Sequence, residues 1–204
     1  KVVLNRKAWG GQFEGISHGK EENSKAQELQ KKNKLYFLEK WKKELESFHF
    51  NNAENVFLAR DRSRNKKTIV VIDHYVPHYD RDAGGRCTYS YLNLFVEEGY
   101  KVIFIGDNYY RHEPYTTNLL SKGIEVLYGN EYSKNIEKWF KDNAQYIDYV
   151  YLNRPHISIK YIDMVKKHTK AKVIYFGHDL HYLRELRNYE IEKNPDLLKS
   201  SEKW

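Results

Sequence analysis

Thr68-Ile-Val-Val-Ile-Asp73, the polar loop His74-Tyr-Val-Pro-His-Tyr-Asp-Arg-Asp-Ala-Gly-Gly-Arg86 and the stretch from Cys87 to Glu98 read in succession as strand, loop and helix. The first is a β-branched run ending on a polar residue. The last turns Leu92, Phe95 and Val96 to one side, with Gly99 as its stop. The same alternation continues to the end of the chain. Strands are expected at 100–106, 124–128, 147–152 and 172–176, and helices at 116–122, 135–143, 158–169, 180–192 and 196–204. Short apolar strands alternating with helices predict an α/β fold, a Rossmann-like doubly wound parallel sheet. Ligands of such sheets gather beyond the carboxyl ends of the strands. That rule selects the loops 73–85, 106–114, 153–158 and 177–181, which are rich in His, Tyr and Arg.

Upstream the pattern differs. Residues 1–66 hold no buried strand by pattern, and 21–47 reads as one long charged helix. Asn33, Phe37, Trp41 and Leu45 fall four apart, with Leu29 and Leu38 beside them, and so form a narrow apolar stripe. Such a stripe is expected to be buried either against the domain that follows or against one on the N-terminal side. Arg60 to Lys67 reads as an exposed linker. The expected division is therefore 1–60, a helical tail plus linker, and 61–204, the α/β domain.

Composition narrows the function classes. The chain of 204 residues carries a net charge of +7 and 40% hydrophobic residues. Lys outweighs Arg and sits mostly on stretches that read as solvated helix faces. No Arg-rich stripe with interleaved aromatics points to nucleic acid. No run reaches the length of a membrane span, and Lys1 to Gly11 shows no signal peptide. A single cysteine, Cys87, excludes an intrachain disulfide and argues against a Cys-based metal site. A cytoplasmic location is the expectation.

Three segments carry candidate chemistry. In the first loop Asp82 is placed to cap the following helix. Gly84 and Gly85 either complete a capped turn or bring backbone N–H groups close to a ligand at the helix's positive end. The density of His74, His78, Asp80, Arg81, Asp82 and Arg86 favours a ligand site. In Phe176-Gly-His178-Asp179-Leu-His181, His178 follows the fifth strand and suits a sugar hydroxyl. Asp179 reads as a helix cap. The spacing of His178 and His181 lacks the Glu and the geometry of a zinc motif, so no metal is expected. Arg154, after the fourth strand, either contacts an anionic ligand or pairs with an acid at the sheet edge.

The chain also resembles a known family. A first strand, a loop ending in Gly84-Gly85, a helix closed by Glu97-Glu-Gly-Tyr-Lys-Val102 and a late strand followed by His178-Asp179 are similar to the N-terminal domain of family 4 glycosyltransferases. Those are GT-B enzymes of two Rossmann-like domains. The stretches VIDHYVP at 71–77, DRDAGGR at 80–86, EPYTTNLL at 113–120, GIEVLYGN at 123–130 and HDLHYLRE at 178–185 resemble a bacterial subgroup more closely. In that subgroup the domain follows a family 2 glycosyltransferase domain in one polypeptide. Phe13-Glu-Gly-Ile-Ser-His-Gly19 and the apolar stripe are similar to the end of such a domain. Family 2 members often carry His two residues before that Glu-Gly; here Gln12 stands there.

The resemblance implies a retaining nucleotide-sugar transferase of bacterial surface polysaccharide synthesis, with a glycan or lipid-linked acceptor. It implies no cofactor, since the nucleotide sugar is the substrate. It implies a C-terminal donor domain, which this chain lacks, so that the isolated chain would be inactive. Peripheral contact with the inner face of a membrane fits it too. By analogy His178 is the catalytic residue near the donor sugar, and Gly84, Gly85 and Arg86 lie at the donor phosphates. Asp73, His74, Asp80, Arg81, Asp82 and Arg154 are the acceptor-side candidates. The rival reading is a non-catalytic α/β interaction module using the Phe37/Trp41 stripe.

Overall fold

The computed structural model describes residues 25–51, 54–177 and 180–203. The chain forms two compact units, 1–51 and 52–204. The first holds α1 (Lys25–Lys40) and α2 (Lys42–Phe48). The long helix expected here is thus two helices over its described part, broken at Trp41, whose backbone leaves the helical region (φ −105°, ψ 12°). Phe37 and Trp41 lie 6.5 Å apart, as their spacing requires. Leu29, Phe37, Leu38 and Trp41 are all exposed.

The second unit runs α3 (Val56–Ala59), β1 (Thr68–Asp73), α4 (Ala83–Glu97), β2 (Lys101–Gly106), α5 (Tyr115–Ser121), β3 (Glu125–Leu127) and α6 (Asn130–Asn143). A single 3-10 turn (Ala144–Tyr146) then leads to β4 (Tyr149–Asn153), α7 (Pro155–His168), β5 (Lys172–Phe176), α8 (His181–Glu192) and α9 (Pro195–Lys203). The five strands form one all-parallel sheet in the order β3-β2-β1-β4-β5. This is the α/β, Rossmann-like architecture that the alternation predicts.

Each central strand is buried on both faces because it feeds two cores. Val70, Ile72, Ile103, Ile105, Val150 and Leu152 pack with Phe140 of α6 and Ile157, Tyr161 and Val165 of α7. Their strand neighbours Ile69, Val71, Val102, Phe104 and Tyr151 pack with Leu92 of α4 and Leu119 of α5. The chain visits β2 and β3 on one side of β1, then returns to β4 on the other. The switch point, where a crevice opens in such sheets, therefore lies between the carboxyl ends of β1 and β4.

Residues 60–67 are exposed apart from Ser63, as their charge predicts, and two of them still pair with the sheet. Both Nη2 bonds of Arg60 go to the Glu125 carboxylate, at 2.8 and 2.6 Å. Lys101 is only 3% exposed, ion-paired to Asp61, with Nζ 4.8 Å from the Phe57 ring centroid. Ser63 is buried, and Phe57 belongs to the core. The second compact unit begins at residue 52.

Candidate functional site

Asp73 ends β1 and is 2% exposed. Its Oδ1 accepts from Arg154 Nε at 2.7 Å and from the His74 backbone N–H at 2.8 Å. Its Oδ2 accepts from the Thr88 hydroxyl of α4 at 2.8 Å. Burial alone would raise its pKa. The adjacent His74, the Arg154 charge and hydrogen bond, and Thr88 outweigh burial and lower it from 3.8 to about 2. Asp73 is thus an ionised anchor whose acceptor sites are mostly taken.

A pH dependence follows, and its sign is fixed by the direction of that shift. The folded pKa lies below the unfolded one, so the stabilisation is complete above about pH 4 and is lost as pH falls through about 2. It amounts to about 2 kcal/mol. Urea unfolding at a series of pH values should show a shallower loss of stability between pH 4 and 2 in Asp73→Asn than in the wild type. Equal slopes would assign the acid transition to other carboxyls.

Arg154 answers the question its sequence position leaves open: it pairs with an acid, Asp73, and still keeps donors to spare. Its backbone sits at φ +66°, ψ 144°, a conformation that costs a non-glycine residue on the order of 1–3 kcal/mol. Several contacts hold it there. Its N–H donates to the Phe176 carbonyl at 2.8 Å, and its carbonyl accepts from Ser158 N–H and Oγ, both at 3.0 Å. Pro155 at the first position of α7 also excludes the helical region for the residue before it. Nε is committed to Asp73. The terminal nitrogens donate to nothing among the described residues, and Nη2 lies 2.8 Å from where a Cβ on Gly84 would stand.

The start of α4 is built around the same point. Asp82 caps it as expected, its Oδ1 accepting from Gly85 N–H at 2.5 Å and its Oδ2 from Tyr75 OH at 3.3 Å. The two glycines serve packing first. A Cβ on Gly85 would fall 3.0 Å from both N and O of His78, so the loop closes directly on the helix. Gly84 leaves room for the Arg154 guanidinium. Because Gly85 N–H is spent on Asp82, the N–H groups of Ala83 and Gly84 are the ones without an acceptor among the described residues.

The remaining candidates divide. His74 joins the site, its Nδ1 3.5 Å from Asp73 Oδ1. Asp80 and Arg81 lie toward α5: Asp80 accepts from Tyr115 OH at 2.7 Å, and the Arg81 guanidinium is 5.8 Å from the Tyr115 ring. Arg86 is exposed and bonds the Tyr79 carbonyl at 3.3 Å. His178 and Asp179 lie outside the described residues.

The strand order sets His74 and His78 beside His112, His156 and Asn153, which their sequence positions alone gave no role. His78 and His112 lie edge to face at 4.8 Å, and His78 stacks on Tyr115 at 4.4 Å. His74 lies 3.7 Å from Tyr75 and 6.1 Å from His156. Burial, then the neighbouring His78, lowers the His112 pKa; burial, then His74 and Arg154, lowers that of His156. Both rings are therefore neutral near pH 7, able to donate and accept. Asn153, in register with Phe176 and one residue past the Ile72–Leu152 pair, is 1% exposed, and neither end of its amide has a partner among the described residues. On the opposite face of the sheet Asp107 binds Lys160 at 2.5 Å and Tyr161 OH at 2.6 Å, a closed network.

The arrangement sets the Arg154 guanidinium beside a row of imidazole and phenol rings. Among the described residues no three His, Cys, Asp or Glu side chains gather as metal ligands would, and no helix is long and apolar enough to cross a membrane. Compared with family models, curated proteins and solved structures, the chain matches none.

Proposed function

We propose that the α/β unit is the acceptor-side half of a retaining GT-B nucleotide-sugar transferase acting in bacterial surface polysaccharide synthesis at the cytoplasmic side of the membrane. The observation that carries this reading is Arg154 at the switch point, strained in its backbone and paired through Nε with Asp73, its terminal nitrogens without an acceptor among the described residues. A guanidinium fixed in this way, beside the free N–H groups of Ala83 and Gly84 at a helix N-terminus, suits a diphosphate. As the bond from the sugar to the diphosphate breaks, negative charge grows on the leaving oxygen. Donors already in place stabilise that charge without reorganising. His74, His78, His112 and Tyr75 supply flat faces and hydrogen-bonding edges for a hydroxylated acceptor. A second Rossmann-like domain closing over this edge would bring the donor and orient it.

The test is transfer from a panel of labelled nucleotide sugars by the full-length protein. His178→Ala should lower turnover about a hundredfold with the circular dichroism spectrum unchanged. Unaltered turnover would remove His178 from the site, and no transfer from any donor would overturn the reading as a whole. The exposed Phe37 and Trp41 favour a second reading, an interaction module without catalysis. Under it, Phe37→Ser/Trp41→Ser abolishes partner capture and no sugar is transferred.

A further inference from the structure

The opposite, amino-terminal edge of the sheet carries a second concave surface. A cleft of about 620 Å³ lies where β1, β4 and β5 begin, lined among others by Lys67, Lys170, Lys172, Ile147, Asp148 and Tyr149. This volume falls within the range of small-ligand sites, roughly 300–1,000 Å³. Tyr149 in its lining and Asn153 at the switch point lie four residues apart along β4, at ~3.3 Å each, so the cleft is distinct from the switch-point site.

Its charge is unbalanced. None of the three lysines has a carboxylate partner among the described residues; Lys67 Nζ lies only over the Tyr149 ring, at 5.9 Å. The one acid lining the cleft, Asp148, already spends Oδ2 on the Thr68 N–H at 2.8 Å. His168, also in the lining, is bonded to Glu137 at 2.7 Å. Three ammonium groups around one depression repel each other and raise the local concentration of anions. A single carboxylate would leave most of that charge uncompensated, whereas a phosphate ester or diphosphate carries two or three negative charges in one compact group. Tyr149 and Ile147 provide an apolar wall for an organic body, and Gln145 an amide for its hydroxyls.

We infer that this cleft binds an organic phosphate through Lys67, Lys170 and Lys172. The inference stands independently of the transferase reading.

Inorganic pyrophosphate is the probe, titrated calorimetrically into the full chain at low salt. Lys67→Gln/Lys170→Gln/Lys172→Gln should weaken the cleft's binding at least tenfold, while Arg154→Gln leaves it in place. Wild-type affinity should fall steeply with salt. Equal affinity in the triple variant, or no binding at millimolar pyrophosphate, overturns the inference. Displacement of the probe by glucose 1-phosphate would assign a free sugar phosphate. Displacement by vesicles containing phosphatidic acid would assign a lipid headgroup. Displacement by neither would contradict an organic phosphate as the occupant.

Discussion

In the full-length protein, Arg154→Ala is expected to lower sugar transfer about a hundredfold, the loss typical of removing one preorganised donor to a developing anion. The same change should destabilise the α/β unit by about 3 kcal/mol, because Asp73 is left buried and ionised without its cation. The two effects are separable. Asp73→Asn/Arg154→Gln removes both charges and keeps the shapes, so it should recover much of the stability and none of the transfer. Arg154→Lys keeps a charge but loses the fork that serves Asp73 through Nε while leaving two nitrogens free. It should transfer at an intermediate rate. Urea unfolding and initial rates on the same preparations check all three. If the charge-free double variant transfers normally, Arg154 is a structural residue only.

Gly85→Ala is the other large effect. The new methyl would stand 3.0 Å from the backbone N and O of His78 and 3.1 Å from Asp82 Oδ2. Backbone cannot swing aside as a side chain does, so the 74–82 loop must lift from α4. A cost of about 2 kcal/mol is expected, together with a roughly tenfold fall in transfer as Asp82 and His78 shift. Gly84→Ala gives the contrast. Its methyl meets Arg154 Nη2 at 2.8 Å, the far end of a flexible side chain. Stability should change by less than about 1 kcal/mol, while transfer falls because the guanidinium is displaced. Thermal melts beside rate measurements distinguish the two patterns. A Gly85→Ala protein as stable as wild type would show that the loop is not packed as described.

β1 at 68–73 coincides with its expected range because burial on both faces demands a continuous β-branched run. β5 at 172–176 coincides too, although as the edge strand it is largely exposed. Helix starts were less so. α4 begins at Ala83, four residues before the expected Cys87, because its first turn is Ala-Gly-Gly-Arg, poor in helix formers. The Asp82 cap and the contact with the loop override that propensity. α6 was expected from Asn135 and runs from Asn130, with non-helical dihedrals at Asn135 itself. Charge gave the exposure of 60–67 but not its pairings, since the partners Lys101 and Glu125 lie 40 and 65 residues away in sequence.

The site followed the same rule. Its loops were legible, because ligands gather at strand carboxyl ends, and Asp82 as a cap follows from local spacing alone. The pairing of Arg154 with Asp73 spans 81 residues and needs the strand order that sets β4 beside β1. His112 and Asn153 gain meaning only once that order places His112 against His78 and sets Asn153 one residue past the Ile72–Leu152 pair.

The central claim is that donor diphosphate sits at the β1/β4 switch point, and photo-crosslinking tests it most directly. A nucleotide sugar carrying a photoreactive group on its diphosphate, activated on the full-length protein, should label peptides spanning 74–86 and 154–158, and Arg154→Gln should suppress that labelling. Labelling confined to surfaces away from those two segments, or undiminished in Arg154→Gln, would contradict it.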